Sequence, residues 1–212
     1  MDKKKSVYDA LRFRIINNEL TAGEFLSEKQ IMAEYKIGRT PLREVFLMLQ
    51  QDRLIQMVPR LGTVVTTLDI QDVREAIAIR KNLESLVARL AAEHISSGQI
   101  DDLKRILAEV ARLRDTTPPD TMERLSQCDL KFHIILYDAA KNRRLKEILI
   151  EEQSIMGRFW FQLGMGQTEF FRHFDDLDDV IRGLEEKDPE KVNTALQHHV
   201  RGYIDRVRQE IL

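Results

Sequence analysis

Residues 54–67 are the one segment of the chain with the pattern of a β-hairpin, and this segment constrains the fold more than any other. Two short apolar and β-branched runs, LIQMV and TVVTT, flank a turn that contains Pro59, Arg60 and Gly62. The chain has only 9 Gly and 5 Pro among 212 residues, below the usual share, which favours long helices over turn-rich β structure. The sequence therefore predicts a mainly α protein with one hairpin.

Three helical patterns precede the hairpin. Val7, Leu11 and Ile15 recur at a spacing of four, which predicts a first helix. Ser27, with Gln30 three positions later, has the capping-box pattern that begins a second helix. After a tight break comes a third helix. Its apolar positions are Leu42, Val45, Phe46 and Leu49. The order helix, helix, break, helix, hairpin is that of a winged helix-turn-helix.

The charge balance divides the chain at the same place. Residues 1–66 contain 11 Lys+Arg and 8 Asp+Glu, whereas the whole chain contains 33 and 35 and has a formal net charge of -2. The first part is therefore mildly basic and the rest is acidic, an asymmetry typical of domains with different partners. The sequence predicts two domains, a winged helix-turn-helix over residues 1–67 and a second domain over residues 68–212.

Everything after residue 67 has helical periodicity. Residues 116–119 interrupt it, and Asp188 followed by Pro189 is a strong start signal for a last helix. One continuous helix is predicted over about residues 168–186. The second domain is therefore predicted to be an all-α antiparallel bundle of about six helices.

The composition also limits where the protein acts. A single cysteine, Cys128, cannot form an intrachain disulfide, which favours a reducing compartment. The chain contains no run of about 18 apolar residues, and no apolar run follows its basic start. We therefore expect a cytoplasmic protein with no membrane partner.

Polar residues cluster where a winged helix-turn-helix contacts DNA. The second helix of such a motif points its N-terminal end at the major groove, and here that end carries two arginines and a threonine. Arginine can bind guanine in two-pronged fashion or bind a phosphate. Each arginine alone is better explained as an ordinary solvated charge, but together these residues predict double-stranded operator DNA as the partner. The predicted contact set is Lys29, Arg39, Thr40, Arg43, Arg60 and Gly62.

Three segments of the first domain resemble GntR-type bacterial transcription regulators. They are residues 27–33 (SEKQIMA), 38–45 (GRTPLREV) and 59–65 (PRLGTVV). The resemblance covers about residues 6–66. Members of the family usually have Ser or Thr at the position of Gly38, which implies one phosphate contact fewer in this chain. The resemblance implies DNA contacts from the positions of Lys29, Arg39, Thr40, Arg43 and Gly62.

Three polar residues interrupt the apolar faces of the predicted bundle. Asp129 and His133 lie four positions apart on one apolar stripe, and His199 lies on a stripe of the last helix. A buried carboxylate needs a partner, which is either a divalent metal shared with the two imidazoles or a direct Asp–His contact. The pattern alone leaves both readings open.

The second domain resembles the FCD effector domain of the FadR branch of GntR regulators. The resemblance rests on residues 80–84 (RKNLE), on residues 129–133 (DLKFH), on Asn142, and on Asp188 and His199 in the last segment. It spans about residues 70–210. It implies a divalent metal such as Zn²⁺ or Ni²⁺, held by one Asp and three His, and a small carboxylate effector that completes the coordination.

The implied ligand set is incomplete in this chain. Asp129, His133 and His199 match three of the ligands, but Leu177 occupies the position where the fourth, a His, is expected. His173 is one turn earlier, about 6 Å away along the axis of a continuous helix, which predicts a poor substitute. Three ligands still predict an open and weakened metal site. The alternative is a FadR-like site that binds an organic ligand such as acyl-CoA without metal.

Arg80 is the candidate for binding the effector carboxylate. Its guanidinium interrupts an apolar stripe and suits two-pronged binding of a carboxylate. A salt bridge to Glu84, one turn later, is an alternative that does not exclude this role. Asn142 is assigned to the effector site by the resemblance alone, and Trp160 with its neighbouring phenylalanines is predicted to be core.

Together these features predict a ligand-responsive, homodimeric transcription regulator and not an enzyme. Paired reading domains suit a two-fold operator, and repression released by a carboxylate metabolite is the expected mode. A helical-bundle metalloenzyme is the alternative from another class, but no residue stands out as a general base and the winged helix stays unexplained. A third alternative is a constitutive DNA-binding protein whose bundle only dimerises.

Overall fold

The computed structural model describes the backbone of residues 3–211 and the side chains of residues 3–208. The chain divides into two compact units, one that ends at Ile70 and one that begins at Gln71. Both units are mainly helical, and the predicted mainly α fold class is confirmed.

The first unit is a winged helix-turn-helix, as predicted. Its strands form an antiparallel sheet in the order β1-β3-β2, with Ile55 opposite Val65 and Val58 opposite Gly62. The sequence does not predict β1, because a strand of two residues has no detectable period. The elements are α1 (Lys3–Ile16), β1 (Phe25–Leu26), α2 (Glu28–Tyr35), α3 (Arg39–Gln51), β2 (Ile55–Val58) and β3 (Gly62–Val65).

Local signals place the two helices of the helix-turn-helix. The hydroxyl of Ser27 caps α2 by accepting a hydrogen bond from the amide of Gln30 at 3.3 Å. The helix α2 ends at Tyr35, and the left-handed φ of 49° at Lys36 turns the chain before α3 begins at Arg39. One face of α3 packs into the core, so its opposite face meets solvent. The buried residues of α3 are Leu42, Val45, Phe46 and Leu49.

The second unit is a helical bundle, whose first helix starts at the last residue of the first unit. Asp188 Oδ1 accepts hydrogen bonds from the amides of Glu190 and Lys191, so the predicted start of the last helix is confirmed. Across residues 3–211, no helix is long and apolar enough to cross a membrane. The helices are α4 (Ile70–His94), α5 (Ser97–Thr116), α6 (Thr121–Ala139), α7 (Arg143–Gln162), α8 (Gln167–His173), α9 (Leu177–Glu185) and α10 (Pro189–Ile211).

The prediction of one continuous helix over residues 168–186 is wrong, because α8 and α9 occupy this segment. Arg114 of α5 donates hydrogen bonds to the carbonyl oxygen of Phe171 at 2.9 Å and to the carboxylate of Asp175 at 2.6 Å. In a continuous helix the carbonyl of Phe171 would accept from the amide of Asp175, four residues later. Here that amide instead bonds to Arg172, at 3.3 Å. The helix α8 therefore ends at His173, next to the contacts of Arg114, and the described part of the bundle has seven helices.

Gly183 lets α9 and α10 approach each other closely. A Cβ atom at this position would lie 2.8 Å from the backbone nitrogen of Val192, which is too close for any side chain. The buried face of α9, which includes Leu177, packs in the same core. This close packing fixes the position of α10, which carries His199.

Candidate DNA-binding surface and candidate metal centre

The N-terminal end of α3 presents predicted DNA-contact residues to solvent. Arg39, Thr40 and Arg43 are all exposed. The side chain of Arg39 is 69% exposed, and its Nε lies 3.9 Å from a carboxylate oxygen of Glu28. A contact of that length between exposed groups contributes little energy. The guanidinium of Arg39 is therefore available for a phosphate or a base.

Gly38 is the N-cap of α3 and offers no side-chain hydrogen bond to the helix. The amides of a first helical turn have no intrahelical partner, and the positive end of the helix dipole attracts anions. The absence of the Ser or Thr that is usual in the family therefore removes a hydroxyl contact. It also leaves first-turn amides uncovered for a DNA phosphate.

A tight turn joins β2 to β3 and forms the tip of the wing. The amide of Leu61 donates to the carbonyl of Val58 at 3.1 Å, and Arg60 between them has a left-handed φ of 68°. Gly62 has a φ of 119°, which glycine adopts far more readily than other residues. Arg60 and Gly62 are exposed, and so is Lys29 on α2. The structure thus exposes all six predicted DNA-contact residues in the first unit.

Asp129, His133 and His199 come together in the core of the second unit, as the sequence pattern predicts. One ligand atom from each residue lies within 4.8 Å of the others. Asp129 is 8% exposed, and each of the two histidines is 1% exposed. One carboxylate and two imidazoles form a donor set that suits a divalent transition metal. Metal binding by this cluster stays a prediction.

The ring nitrogens of His199 support the fit of these residues to a metal. Both are buried without a hydrogen-bond partner, whereas Oδ1 of Asp129 has longer contacts with His133 and His173. Burial, with the neighbouring imidazole of His173, holds the pKa of His199 well below its usual value, so the ring is neutral and has a lone pair to give. A buried polar group without a partner costs about 1–3 kcal/mol. A bound ion would remove that cost.

The remaining contacts of Asp129 keep it ionised. Gln153 of α7 donates to its Oδ2 at 2.5 Å, and Oδ1 lies 3.5 Å from His133 Nδ1 and 3.3 Å from His173 Nε2. Burial opposes the charged form of the carboxyl. The imidazoles of His133 and His173, with the guanidinium of Arg80, outweigh that effect and lower the pKa of Asp129 to about 2. The cluster therefore contains a carboxylate anion.

His173 lies beside this cluster. The prediction that it lies about 6 Å from the position of the fourth ligand assumed one continuous helix from residue 173 to residue 177, and that assumption is wrong. The ring centroid of His173 is 4.1 Å from that of His199, and the residue is 4% exposed. The helix break after His173 invalidates that argument, because α8 and α9 do not share one axis. Leu177 is fully buried in the apolar core, as a residue that fills the volume of a missing ligand would be.

Arg80 lies in the same core with every N–H of its guanidinium paired. Nε donates to Glu84 at 2.8 Å and Nη2 also pairs with that carboxylate, so the predicted salt bridge is present. Nη1 bonds to Gln153 and lies 3.0 Å from Met156 Sδ, while Nη2 lies 3.2 Å from His133 Nε2. An effector could bind Arg80 only by displacing one of these partners. The effector role of Arg80 stays a prediction.

Asn142 caps α7 by accepting a hydrogen bond from the amide of Leu145 at 3.1 Å. It follows the end of α6, and between His133 and that end the helix rises about 9 Å. The structure therefore gives Asn142 a structural role as the cap of α7, beyond the end of α6. Its assignment to the effector site stays a prediction.

Sequence reasoning missed Arg206, whose partly buried guanidinium lies beside the cluster. Its Nη2 donates to His173 Nδ1 at 3.1 Å, and its Cζ lies 5.7 Å from the centre of the Trp160 ring. Nε of Arg206 and Nε1 of Trp160 are both buried without a partner. Arg206 follows His199 by seven positions, which is about two helical turns on the same face. That spacing could have identified it.

Comparison with known proteins identifies the family. Residues 3–65 match the bacterial regulatory proteins of the gntR family, and residues 75–202 match the FCD domain. The chain belongs to the GntR family and carries an FCD domain. It is therefore a DNA-binding transcription regulator.

Relatives that are similar over most of the chain are regulators as well. The transcriptional repressor RspR of Escherichia coli is 25% identical over 97% of this chain and 89% of its own length. The regulator YdhC of Bacillus subtilis is 32% identical over 67% of this chain, a match that covers 62% of YdhC. The gluconate operon repressor of B. subtilis is 24% identical over 93% of this chain. The structure of E. coli McbR/YncC superposes with a TM-score of 0.87 at 20% identity over 100% of both chains, which supports the fold.

Proposed function

We propose that this regulator is a repressor that binds a two-fold operator as a homodimer and releases it when a small carboxylate binds to the bundle, with a divalent metal as cofactor. The observation that carries this proposal is the buried His199 with two unpaired ring nitrogens, next to the carboxylate of Asp129. The names of two relatives, RspR and the gluconate operon repressor, support repression over activation.

In this proposal residues 1–67 bind DNA and residues 68–212 bind the effector and dimerise. The N-terminal end of α3 enters the major groove, where Arg39 and Arg43 contact bases or phosphates and Thr40 adds a hydroxyl. Lys29 contacts a phosphate, and Arg60 with Gly62 at the wing tip approaches a neighbouring groove. Two copies are needed because the two half-sites of such an operator lie about one helical turn apart.

Asp129, His133 and His199 are the residues that would hold the metal. Nε2 of His133 accepts a hydrogen bond from Arg80, and Nδ1 lies 3.0 Å from the carbonyl oxygen of Asp129. Nε2 would therefore become available to a metal only when the guanidinium moves aside. A divalent metal with three protein ligands keeps open positions and acts as a Lewis acid toward a carboxylate oxygen. Metal binding and a change in the partners of Arg80 would therefore be coupled in this protein.

The unpaired donors near the cluster favour an anionic effector. Nε of Arg206 and Nε1 of Trp160 lack hydrogen-bond partners, whereas the N–H groups of Arg80 are all engaged. A carboxylate that accepts from Arg206 and Trp160 would satisfy both donors without breaking an existing bond. Arg80 and Asn142, the two predicted effector residues, would take part only after exchanging their present partners.

The fully buried Leu177 favours a second candidate, an organic ligand bound without metal as in FadR-like regulators that take acyl-CoA. A leucine at the position of the expected fourth ligand makes the site more apolar and weakens its hold on an ion. In that case the unpaired atoms of His199 would bond directly to the ligand.

Thermal unfolding with a DNA-release assay tests the proposal. Protein treated with a chelator is mixed with Zn²⁺ or Ni²⁺ and then with a panel of small carboxylic acids, and release of a selected operator fragment is followed by fluorescence anisotropy. Saturation at 100 times the dissociation constant should stabilise the folded state by about 2.7 kcal/mol. His199→Ala should lose the response to metal. His198→Ala, next to it but with a side chain 69% exposed, should keep that response and is the matched control.

The outcomes separate the candidates. Stabilisation by metal together with acid, with release of DNA, supports the proposal. Stabilisation by an acid or by acyl-CoA that does not change when metal is removed supports the metal-free alternative. DNA affinity that no ligand or metal alters would indicate a constitutive DNA-binding protein.

A further inference from the structure

His173 contacts a guanidinium with one ring nitrogen and a carboxylate with the other. Arg206 Nη2 lies 3.1 Å from Nδ1, and Asp129 Oδ1 lies 3.3 Å from Nε2. The ring packs 5.6 Å from Trp160 and 4.1 Å from His199 between ring centres, and the residue is 4% exposed. The imidazole thus has a protein partner at each ring nitrogen and packs against two other aromatic rings.

The contact with Arg206 determines which nitrogen of His173 carries the proton. A guanidinium has only N–H donors, so Nδ1 of His173 must be the acceptor and carries no hydrogen. A neutral imidazole has one N–H, which must then be on Nε2. Nε2 is the nitrogen that faces Asp129. The lone pair that a metal would need at this nitrogen is therefore replaced by an N–H group.

We infer that His173 is a positioning residue for the Asp129 carboxylate and not a fourth metal ligand, and that Arg206 fixes the tautomer that gives His173 this role. The inference rests on the proposed metal centre. It agrees with the distances in the cluster, where one ligand atom each of Asp129, His133 and His199 lies within 4.8 Å of the others in a group that does not include His173. A polar contact to a metal-ligating carboxylate orients the ligand and tunes its affinity.

This assignment changes what the centre can bind. Leu177 removes one ligand that the resemblance implies, and His173 does not replace it despite lying next to the site. The metal would keep three protein ligands and one more open position than a set of one Asp and three His leaves. Exogenous donor atoms would then make up a larger share of the coordination, so the occupancy of the metal depends more strongly on the effector.

The tautomer can be measured in the metal-free full-length protein. Two-bond ¹H–¹⁵N correlation spectra distinguish a protonated ring nitrogen from an unprotonated one, and the assignment of His173 comes from comparison with His173→Gln. We expect protonated Nε2 and unprotonated Nδ1 at pH 8. We also expect Arg206→Leu to give a mixture of tautomers. A signal for protonated Nδ1 in the wild type overturns the inference.

Metal affinity distinguishes a positioning residue from a ligand. Glutamine can place an amide N–H near the position of Nε2, so His173→Gln should keep the affinity within about threefold, whereas His173→Leu should weaken it by about 10- to 100-fold. His199→Gln is the control for true ligand loss. The measurement is competition with a chromophoric chelator, accompanied by the visible spectrum of the Co²⁺ form, which should not change in His173→Gln. An equal loss of affinity in His173→Gln and His199→Gln, with an altered Co²⁺ spectrum, overturns the inference.

The two measurements can contradict the proposed metal centre and the positioning role of His173 independently. Wild-type protein that binds no metal contradicts the proposed metal centre, and the tautomer in the metal-free protein then decides whether Arg206 and His173 are arranged as inferred. Wild-type protein that binds metal but has His173 protonated on Nδ1 leaves the metal centre intact and removes only the positioning role.

Discussion

The two units hold their polar residues in opposite ways. In the first unit the predicted DNA-contact residues are exposed and have weak contacts or none with other side chains, such as the 3.9 Å approach of Arg39 to Glu28. In the second unit Asp129, His133 and His199 are buried among other polar groups, and a few of their atoms lack partners. A site for DNA is therefore recognised by what it exposes. A site for a small ligand is recognised by the buried atoms that it leaves unsatisfied.

The largest expected effect lies in the exposed site. Replacing both Arg39 and Arg43 by Ala should weaken binding to a selected operator by about 100-fold or more, because each base or phosphate contact by arginine contributes about 1–3 kcal/mol. Fluorescence anisotropy at fixed salt measures the loss. The unfolding midpoint should hardly change, since both side chains are exposed.

Arg105→Ala is the control for the loss of a surface arginine outside the first unit, and it removes one positive charge where the double variant removes two. Arg105 is 74% exposed on α5 and pairs at the surface with Asp102. It should leave DNA affinity unchanged. If Arg105→Ala weakens binding as much as the double variant does, the effect is one of total charge and α3 is not the reading helix.

The second prediction concerns the unsatisfied atoms of the buried site. His199→Leu should stabilise the metal-free protein by about 1–2 kcal/mol, because it removes a buried imidazole whose two nitrogens have no partner. It should also abolish the gain in stability that metal provides. Urea unfolding of chelator-treated protein measures the first effect. His198→Leu at the exposed neighbouring position should show no such gain, and a lower midpoint for His199→Leu would mean that the imidazole is satisfied in solution.

The sequence predicted the positions of the DNA-contact residues more completely than those of the residues around the buried cluster. The reading helix, the wing and all six candidate contacts follow from local patterns, since a turn, a cap and a four-residue break determine where Arg39 and Arg60 lie. In the bundle, helical periodicity alone was enough to group Asp129 and His133 with His199. Residues on one apolar stripe must point into the same core.

The sequence did not predict the position of His173, because no local pattern near residue 173 signals the end of α8 at this residue. The bond from Arg114 of α5 to the carbonyl of Phe171 also joins residues that are far apart in the sequence. The sequence predicted only some of the hydrogen-bond partners of Arg80. Its salt bridge to Glu84 is a local pair, whereas its bonds to Gln153 and His133 depend on how α6 and α7 pack against α4.

The third prediction uses pH to separate the units. Burial lowers the pKa of His173 and of His199, so both stay neutral in the folded protein while the unfolded chain takes up protons below about pH 6.5. The unfolded state binds more protons, and the free energy of unfolding of the metal-free bundle should therefore fall on acidification from pH 7 to 5. The slope should approach about 1.4 kcal/mol per pH unit for each of these histidines.

Asp129 contributes no pH dependence to the free energy of unfolding between pH 7 and 5. Its pKa is lowered to about 2, so the stability that it contributes is lost only below about pH 4. The first unit has no histidine among its residues, and operator affinity at pH 6 should match that at pH 7 as long as the bundle stays folded. Denaturant unfolding and anisotropy over the same pH series check both statements. A bundle whose stability does not change between pH 7 and 5 would show that His173 and His199 are solvated.

The smallest expected effect compares two residues with left-handed backbone, one in each unit. Arg60 at the wing tip has a φ of 68°, and Lys141 between α6 and α7 has a φ of 52°. This region disfavours residues with a Cβ, so Arg60→Gly and Lys141→Gly should each stabilise the protein by up to about 1 kcal/mol. Only Arg60→Gly should also weaken operator binding, by about tenfold, with a smaller salt dependence. Equal DNA affinity in both variants would show that the side chain of Arg60 makes no DNA contact.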